Sequence, residues 1–257
     1  MLICVDIGNT NITIGGFSDE ELKFTARLAT DHRRTSDQYA IEIKDIMRLN
    51  DIADGDIHGA AICSVVPTVG SSIEKAINKL FGITPMVLGP GIKTGLNIKI
   101  DNPAQLGADL AAGAVGALDK YPAPCVIIDL GTATTISVIG RNGEFLGGAI
   151  AAGIKLTLDA LASRTAQLPM VNIEAPKSVI GSNTADSMKS GLVIGAASMI
   201  DGMITRIERE LNVPVNVVAT GGLAPVVVDF CAHKIALDDN LLLDGLRIIY
   251  NKNHTKQ

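Results

Sequence analysis

Ile3-Cys4-Val5-Asp6-Ile7-Gly8-Asn9-Thr10-Asn11 is echoed later in the chain by Val126-Ile127-Ile128-Asp129-Leu130-Gly131-Thr132-Ala133-Thr134. Each copy reads as a buried apolar strand that ends in a carboxylate and a glycine turn edged by hydroxyl or amide side chains. A strand can aim a carboxylate at a fixed point, while glycine lets an anion approach the backbone and the hydroxyls add donors. Two such turns facing each other across a cleft would suit a nucleotide and its metal. The plain alternative is a pair of ordinary β-turns, which the matched repetition argues against.

Working outward, each copy opens a similar run of elements. In the first half the pattern predicts strands at 2–7, 12–17 and 22–29, a helix from 36 capped by Ser36-Asp37, a strand at 60–66, a helix at 69–81 and a strand at 86–88. The second half predicts strands at 125–130, 135–139 and 145–150, helices at 154–163 and 182–211, a strand at 215–219 and a closing helix. Alternating apolar strands and helices point to α/β sheets covered by helices, and the repeat points to duplication. The boundary falls near the helix expected at 107–118, which divides the chain into 1–118 and 119–257.

Composition narrows the function. The chain has 257 residues, 47% hydrophobic, with mean hydropathy +0.32, enough to bury a large core. Its 22 Lys and Arg against 27 Asp and Glu give a formal charge of -5, with no basic cluster interleaved with aromatics, so nucleic acid is not an expected partner. No continuous apolar run approaches the roughly 20 residues that cross a bilayer, and the first residues lack a basic leader, so a cytoplasmic protein without a membrane partner is expected. Cys4, Cys63, Cys125 and Cys231 show no CxxC spacing and read as free thiols. His32, His58, His233 and His254 are scattered, so neither a zinc site nor a nucleophilic triad is suggested. The chemistry falls to carboxylates, hydroxyls and backbone.

Three further segments bear on it. Gly89-Pro90-Gly91-Ile92-Lys93-Thr94-Gly95 lacks the glycine directly before lysine that a P-loop needs and reads as a loop. Asp109, in Gly107-Ala108-Asp109-Leu110, starts a helix, where a carboxylate either compensates the helix dipole or serves as a general base at the junction of the halves. Thr220-Gly221-Gly222 is a third glycine turn, either a strand-to-helix connection or a seat for a flat purine or ribose.

Together with Asp101-Asn102-Pro103, Gly147-Gly148, Thr165-Ala166-x-Leu168-Pro169 and Gly181-x-x-Thr184, these motifs resemble, nearly end to end, those of the type III pantothenate kinases. That resemblance implies a duplicated ribonuclease H-like (actin-like ATPase) fold, two lobes each with a mixed five-stranded sheet flanked by helices. It implies ATP-dependent phosphorylation of pantothenate to 4'-phosphopantothenate, the first step of coenzyme A biosynthesis, by a homodimer. It assigns ATP binding to Asp6, Ile7, Gly8, Asn9, Thr10, Asn11, Ile12 and Thr13 and to Thr132, with Asp6 near Mg²⁺ and reaching it through water. It assigns a monovalent cation, K⁺ or NH₄⁺, to Asp129, pantothenate contacts to Gly107, Ala108, Asp109, Leu110 and Thr184, and the base to Asp109. Leu110 and Ile100 stand where many members carry Arg and Tyr. Two other readings remain at this point: a kinase of another small hydroxy acid, and a nucleotide-binding regulatory homologue without turnover.

Overall fold

The computed structural model describes residues 1–254, so the last three residues of the 119–257 segment lie outside it. Contacts group the chain into two units: unit 1 holds 1–96, 102–116 and the chain from Leu241, and unit 2 holds 97–101 and 117–240. This division differs from the sequence boundary at 118/119 in residues 97–101 and 117–118, which group with unit 2, and in the closing helix. That helix clusters with unit 1 because its apolar face meets the unit-1 sheet.

Unit 1 is built on β1 (Leu2–Ile7), β2 (Asn11–Ser18), β3 (Glu21–Ala29), β4 (Gly59–Ser64) and β5 (Met86–Val87), in the order β3-β2-β1-β4-β5. β1 runs antiparallel to β2 and parallel to β4. Its alternation decides what each face does. Ile3, Val5 and Ile7 join Ile43, Ile73 and Ile77 from α1 (Ser36–Leu49) and α2 (Pro67–Phe81). Leu2 and Cys4 face the other way, with Ala112 and Val115 of α3 (Ala108–Lys120) and with Leu243, Leu246 and Ile249 of the closing helix Leu241–His254. Asp6 shares the parity of Leu2 and Cys4, so period-two geometry sends it to the α3 side.

Helix ends follow their sequence signals, with one adjustment. α1 is capped by Thr35, not by Ser36: the Thr35 hydroxyl accepts the Gln38 N–H, and Gln38 Oε1 accepts the Thr35 N–H in a capping box. α2 starts at Pro67 and ends at Gly82, whose φ of 66° is left-handed.

Unit 2 repeats the plan with β7 (Cys125–Leu130), β8 (Ala133–Ile139), β9 (Glu144–Ala152), β10 (Asn216–Thr220) and β11 (Ala236–Leu237). The order β11-β10-β7-β8-β9 has the same parallel and antiparallel neighbours around its first strand. A sixth strand, β6 (Asn97–Ile98), pairs parallel with β9, so this sheet has six strands where the resemblance implied five. Two residues are too few for a periodic signal.

Val126, Ile128 and Leu130 pack on α4 (Ile154–Arg164) and α5 (Thr184–Leu211). α5 is long and apolar enough, by length and composition, to cross a bilayer. Its Met188, Leu192, Ala197, Ile200 and Ile204 lie in the unit-2 core. The short α6 (Ala224–Val228) follows β10, and the closing helix is α7 (Leu241–His254).

Candidate active site

In unit 1 the site grows from the end of β1. Asp6 is the register partner of Thr13 on β2 and of Cys63 on β4, and paired residues on neighbouring strands present side chains to the same face. The turn beyond it is closed by Gly8 N–H donating to the Asn11 carbonyl at 2.9 Å. Asn9, Thr10 and Asn11 are exposed along the turn, while Ile7 and Ile12 are buried and anchor its two legs.

Asp109 lies in the first turn of α3 and is half-buried. The Leu110 N–H donates to Asp109 Oδ1 at 2.9 Å. A Cβ at Gly107 would fall 2.5 Å from that same oxygen, so Gly107 leaves the space the carboxylate occupies. Ala108 and Leu110, both half-buried, flank it.

Cys63 ties the two carboxylates together. Burial pushes its thiol pKa well above the usual value, and the charges of Asp6 and Asp109 push it further. Both carboxylates therefore sit close enough to one buried sulfur to act on it. Residues far apart in sequence come to one side of the sheet because the alternation of β1 and β4 turns Asp6 and Cys63 toward α3. Nothing in the spacing of Cys63 marks it; only strand register would have found it.

The Gly89–Gly95 segment has no helix following its lysine, as the loop reading expects. Instead Lys93 is held by Asn253 of α7, which accepts the Lys93 N–H at 3.2 Å and donates to its carbonyl at 3.0 Å.

In unit 2, Asp129 occupies the place on β7 that Asp6 has on β1, with Thr135 and Thr220 as register partners. The turn is one residue tighter, Gly131 N–H donating to the Ala133 carbonyl at 3.1 Å, and Thr132 is exposed at its tip. Gly153 N–H donates to the Thr132 carbonyl at 3.2 Å and backs the turn from behind. Gly221, at φ +95°, comes so close that a Cβ there would lie 2.6 Å from Asp129 Oδ1 and 2.8 Å from Leu130 N. The Thr220-Gly221 motif thus has a task its sequence did not disclose: it makes room for the carboxylate. Thr184 is exposed at the first position of α5, behind the Asn183 cap that accepts the Asp186 N–H at 2.9 Å.

Among the described residues no group of three or more His, Cys, Asp or Glu could hold a metal ion. Asp6, one carboxylate with a hydroxyl residue paired in register, instead suits a hard cation that keeps several waters and takes its other oxygens from a bound phosphate.

A sequence model described as type III pantothenate kinase matches residues 2–206. The chain belongs to that family. Type III pantothenate kinases from Halalkalibacterium halodurans and Myxococcus xanthus are each 42% identical to it, the first over 98% of this chain and 100% of its own length, the second over 99% of both. Solved structures extend the likeness of fold beyond the type III pantothenate kinases. Component A of (R)-2-hydroxyglutaryl-CoA dehydratase from Acidaminococcus fermentans superposes with TM-score 0.60 at 16% identity, covering 99% of each chain. Ethanolamine utilization protein EutJ from Carboxydothermus hydrogenoformans superposes with TM-score 0.54 at 16% identity, covering 96% of this chain and 88% of that one. The duplicated sheets are the actin-like ATPase and sugar kinase fold.

Proposed function

We propose that this chain transfers the γ-phosphoryl group of ATP to the terminal hydroxyl of pantothenate, giving 4'-phosphopantothenate and ADP at the entry to coenzyme A synthesis. The observation that carries the reading is that Asp6, in register with Cys63 on β4, and Asp109, in the first turn of the α3 helix packed with Cys63, lie on one side of the unit-1 sheet, in a chain that shares its full length with type III pantothenate kinases. It joins a carboxylate beside an anion-binding turn to a second carboxylate at the start of α3.

Phosphoryl transfer asks a protein mainly for position and charge neutralisation. In this reading the turn from Asp6 to Thr13 cradles the ATP phosphates with its N–H groups and hydroxyls. Asp109 accepts the pantothenate hydroxyl proton as that oxygen attacks the γ-phosphorus and the bond to ADP breaks. Mg²⁺ near Asp6 supplies charge neutralisation at the phosphates. Gly107, Ala108 and Leu110 line the pantothenate side of Asp109, and Thr132 contacts ATP. Asp129 holds K⁺ or NH₄⁺, offsetting phosphate charge in a chain without a P-loop lysine. Thr184 contacts pantothenate in a cytoplasmic homodimer.

Leu110 favours keeping a second reading, a kinase of another small hydroxy acid, since an apolar side chain beside the base offers no charge to the pantothenate carboxylate. ADP formation measured with pantothenate and a panel of hydroxy acids, in K⁺ and then in Na⁺, tests both. Turnover with pantothenate that collapses in Na⁺ is expected. Turnover only with another acid supports the second reading, and ATP binding with no turnover on any acid supports a regulatory homologue. Equal rates in K⁺ and Na⁺ remove the role given to Asp129.

A further inference from the structure

The end of β3 reaches back to the phosphate turn. Thr30 Oγ1 donates a hydrogen bond to the Gly8 carbonyl at 2.7 Å, and Thr30 N–H donates to the Thr10 carbonyl at 3.0 Å. Two carbonyls of one short turn are thus held by the residue that follows β3, a strand that carries none of the turn's sequence. The next residue is fixed as firmly: the Tyr39 hydroxyl accepts the Asp31 N–H at 3.2 Å and donates to the Asp31 carbonyl at 3.0 Å. Tyr39 is fully buried in the α1 core, so the contact to the turn starts from an immobile point.

The consequence follows from peptide geometry. In a trans peptide the C=O and N–H point in opposite directions. Drawing the Gly8 carbonyl toward Thr30 therefore turns the Asn9 N–H, which belongs to the same peptide unit, to the opposite side. Drawing the Thr10 carbonyl the same way does likewise for the Asn11 N–H. An anion is repelled by carbonyl oxygens and attracted by N–H groups, so a turn that could present either is held with its donors outward.

We infer that Thr30 is a positioning residue for the ATP phosphates, acting through the Gly8 and Thr10 carbonyls without touching the nucleotide. The inference rests on the kinase reading of the Asp6–Thr13 turn and extends it to a residue outside that turn. The side-chain bond is the separable part, because the backbone bond survives substitution. Thr30→Val keeps the β-branched shape and removes the donor, whereas Thr30→Ser restores it.

The test is steady-state kinetics on the full chain with ATP and pantothenate varied in turn, alongside thermal unfolding. Thr30→Val should raise the KM for ATP about tenfold, the scale of one neutral hydrogen bond, and leave the KM for pantothenate within about twofold. Thr30→Ser should return the KM for ATP to within about twofold of wild type. Thr30→Ala, smaller and free of overpacking, gives the same test if the valine variant does not fold. A lower melting point with an unchanged KM for ATP in either donorless variant overturns the inference. So does an equal rise in both KM values. If wild type makes no ADP with pantothenate, the kinase reading fails by itself. Direct ATP titration by calorimetry then decides on Thr30: an affinity loss in Thr30→Val sustains it, and equal affinity refutes it.

Discussion

Replacing Gly221 by alanine forces a methyl group into the space beside Asp129. The built Cβ lies 2.6 Å from Asp129 Oδ1, 2.7 Å from Leu130 C and 2.8 Å from Leu130 N, and two of those atoms are backbone that cannot swing away. The φ of +95° adds conformational strain, since no L side chain adopts it comfortably. Strain of that kind costs about 1–3 kcal/mol and overpacking about 1–3 kcal/mol, so the sum is about 2–6 kcal/mol. For a chain of this size that lowers Tm by roughly 5–20 °C. Because the carboxylate is the nearest atom, the damage should also reach the cation role proposed for Asp129, and activation by K⁺ should weaken in the surviving folded protein. The assay is scanning fluorimetry in K⁺ and in Na⁺, followed by ADP formation at a temperature where the variant is folded. Gly202→Ala is the control: nothing lies within 4 Å of its built Cβ, and α5 should gain up to about 1 kcal/mol from better helix propensity. A Gly221→Ala protein that melts within about 1 °C of wild type with full K⁺ activation would refute the reasoning.

Asp109→Asn should lose about 10²–10⁴-fold in kcat with an unchanged circular dichroism spectrum, and full activity in a folded variant would remove the base assignment. Asn183→Ala should cost about 1 kcal/mol through the lost α5 cap, read as a lower urea midpoint, and should raise the KM for pantothenate if Thr184 contacts it. The buried thiols make stability fall in alkali. Burial pushes Cys125 up to about 12, and an ordinary thiol titrates at 9.0, so below pH 9 the proton stays on in both states and nothing changes. From pH 9 to about 12 the unfolded chain releases that proton and the folded chain keeps it, which costs about 1.4 kcal/mol per pH unit. Urea midpoints measured from pH 8 to 10.5 should drop, and Cys125→Val should flatten the slope; an identical slope in the variant speaks against it.

Much of the plan was legible because duplication wrote it twice. The repeated apolar strand, carboxylate and glycine announced both turns, and the apolar periodicity of α1, α2 and α5 announced the helices over them. Of the two-residue strands, β5 was legible in the apolar Met86-Val87-Leu88, whereas β6 and β11 carried no period to read. The cap of α1 slipped by one residue because Thr35, Ser36 and Asp37 are all good caps, and only the reciprocal bond with Gln38 selects Thr35.

The site divides along the same line. Asp6, Asp109 and Asp129 could be named from local sequence, since a carboxylate at the end of a strand or the start of a helix is visible there. Which of them meet could not. Asp6 and Asp109 come to one side of the unit-1 sheet through the face of β1 that Asp6 occupies, through Cys63 beside it in register and through α3 packing on that face, all pairings between residues distant in the chain. Thr30 and Gly221 carry no motif of their own for the tasks they perform; a bond to a carbonyl and a missing methyl are set by where other strands lie. The sequence by itself determined the types of element and the chemistry available, because propensity and side-chain identity are local. Tertiary structure alone decided which carboxylates share a neighbour and which backbone groups face outward, because strand register and face are settled only when the sheets assemble.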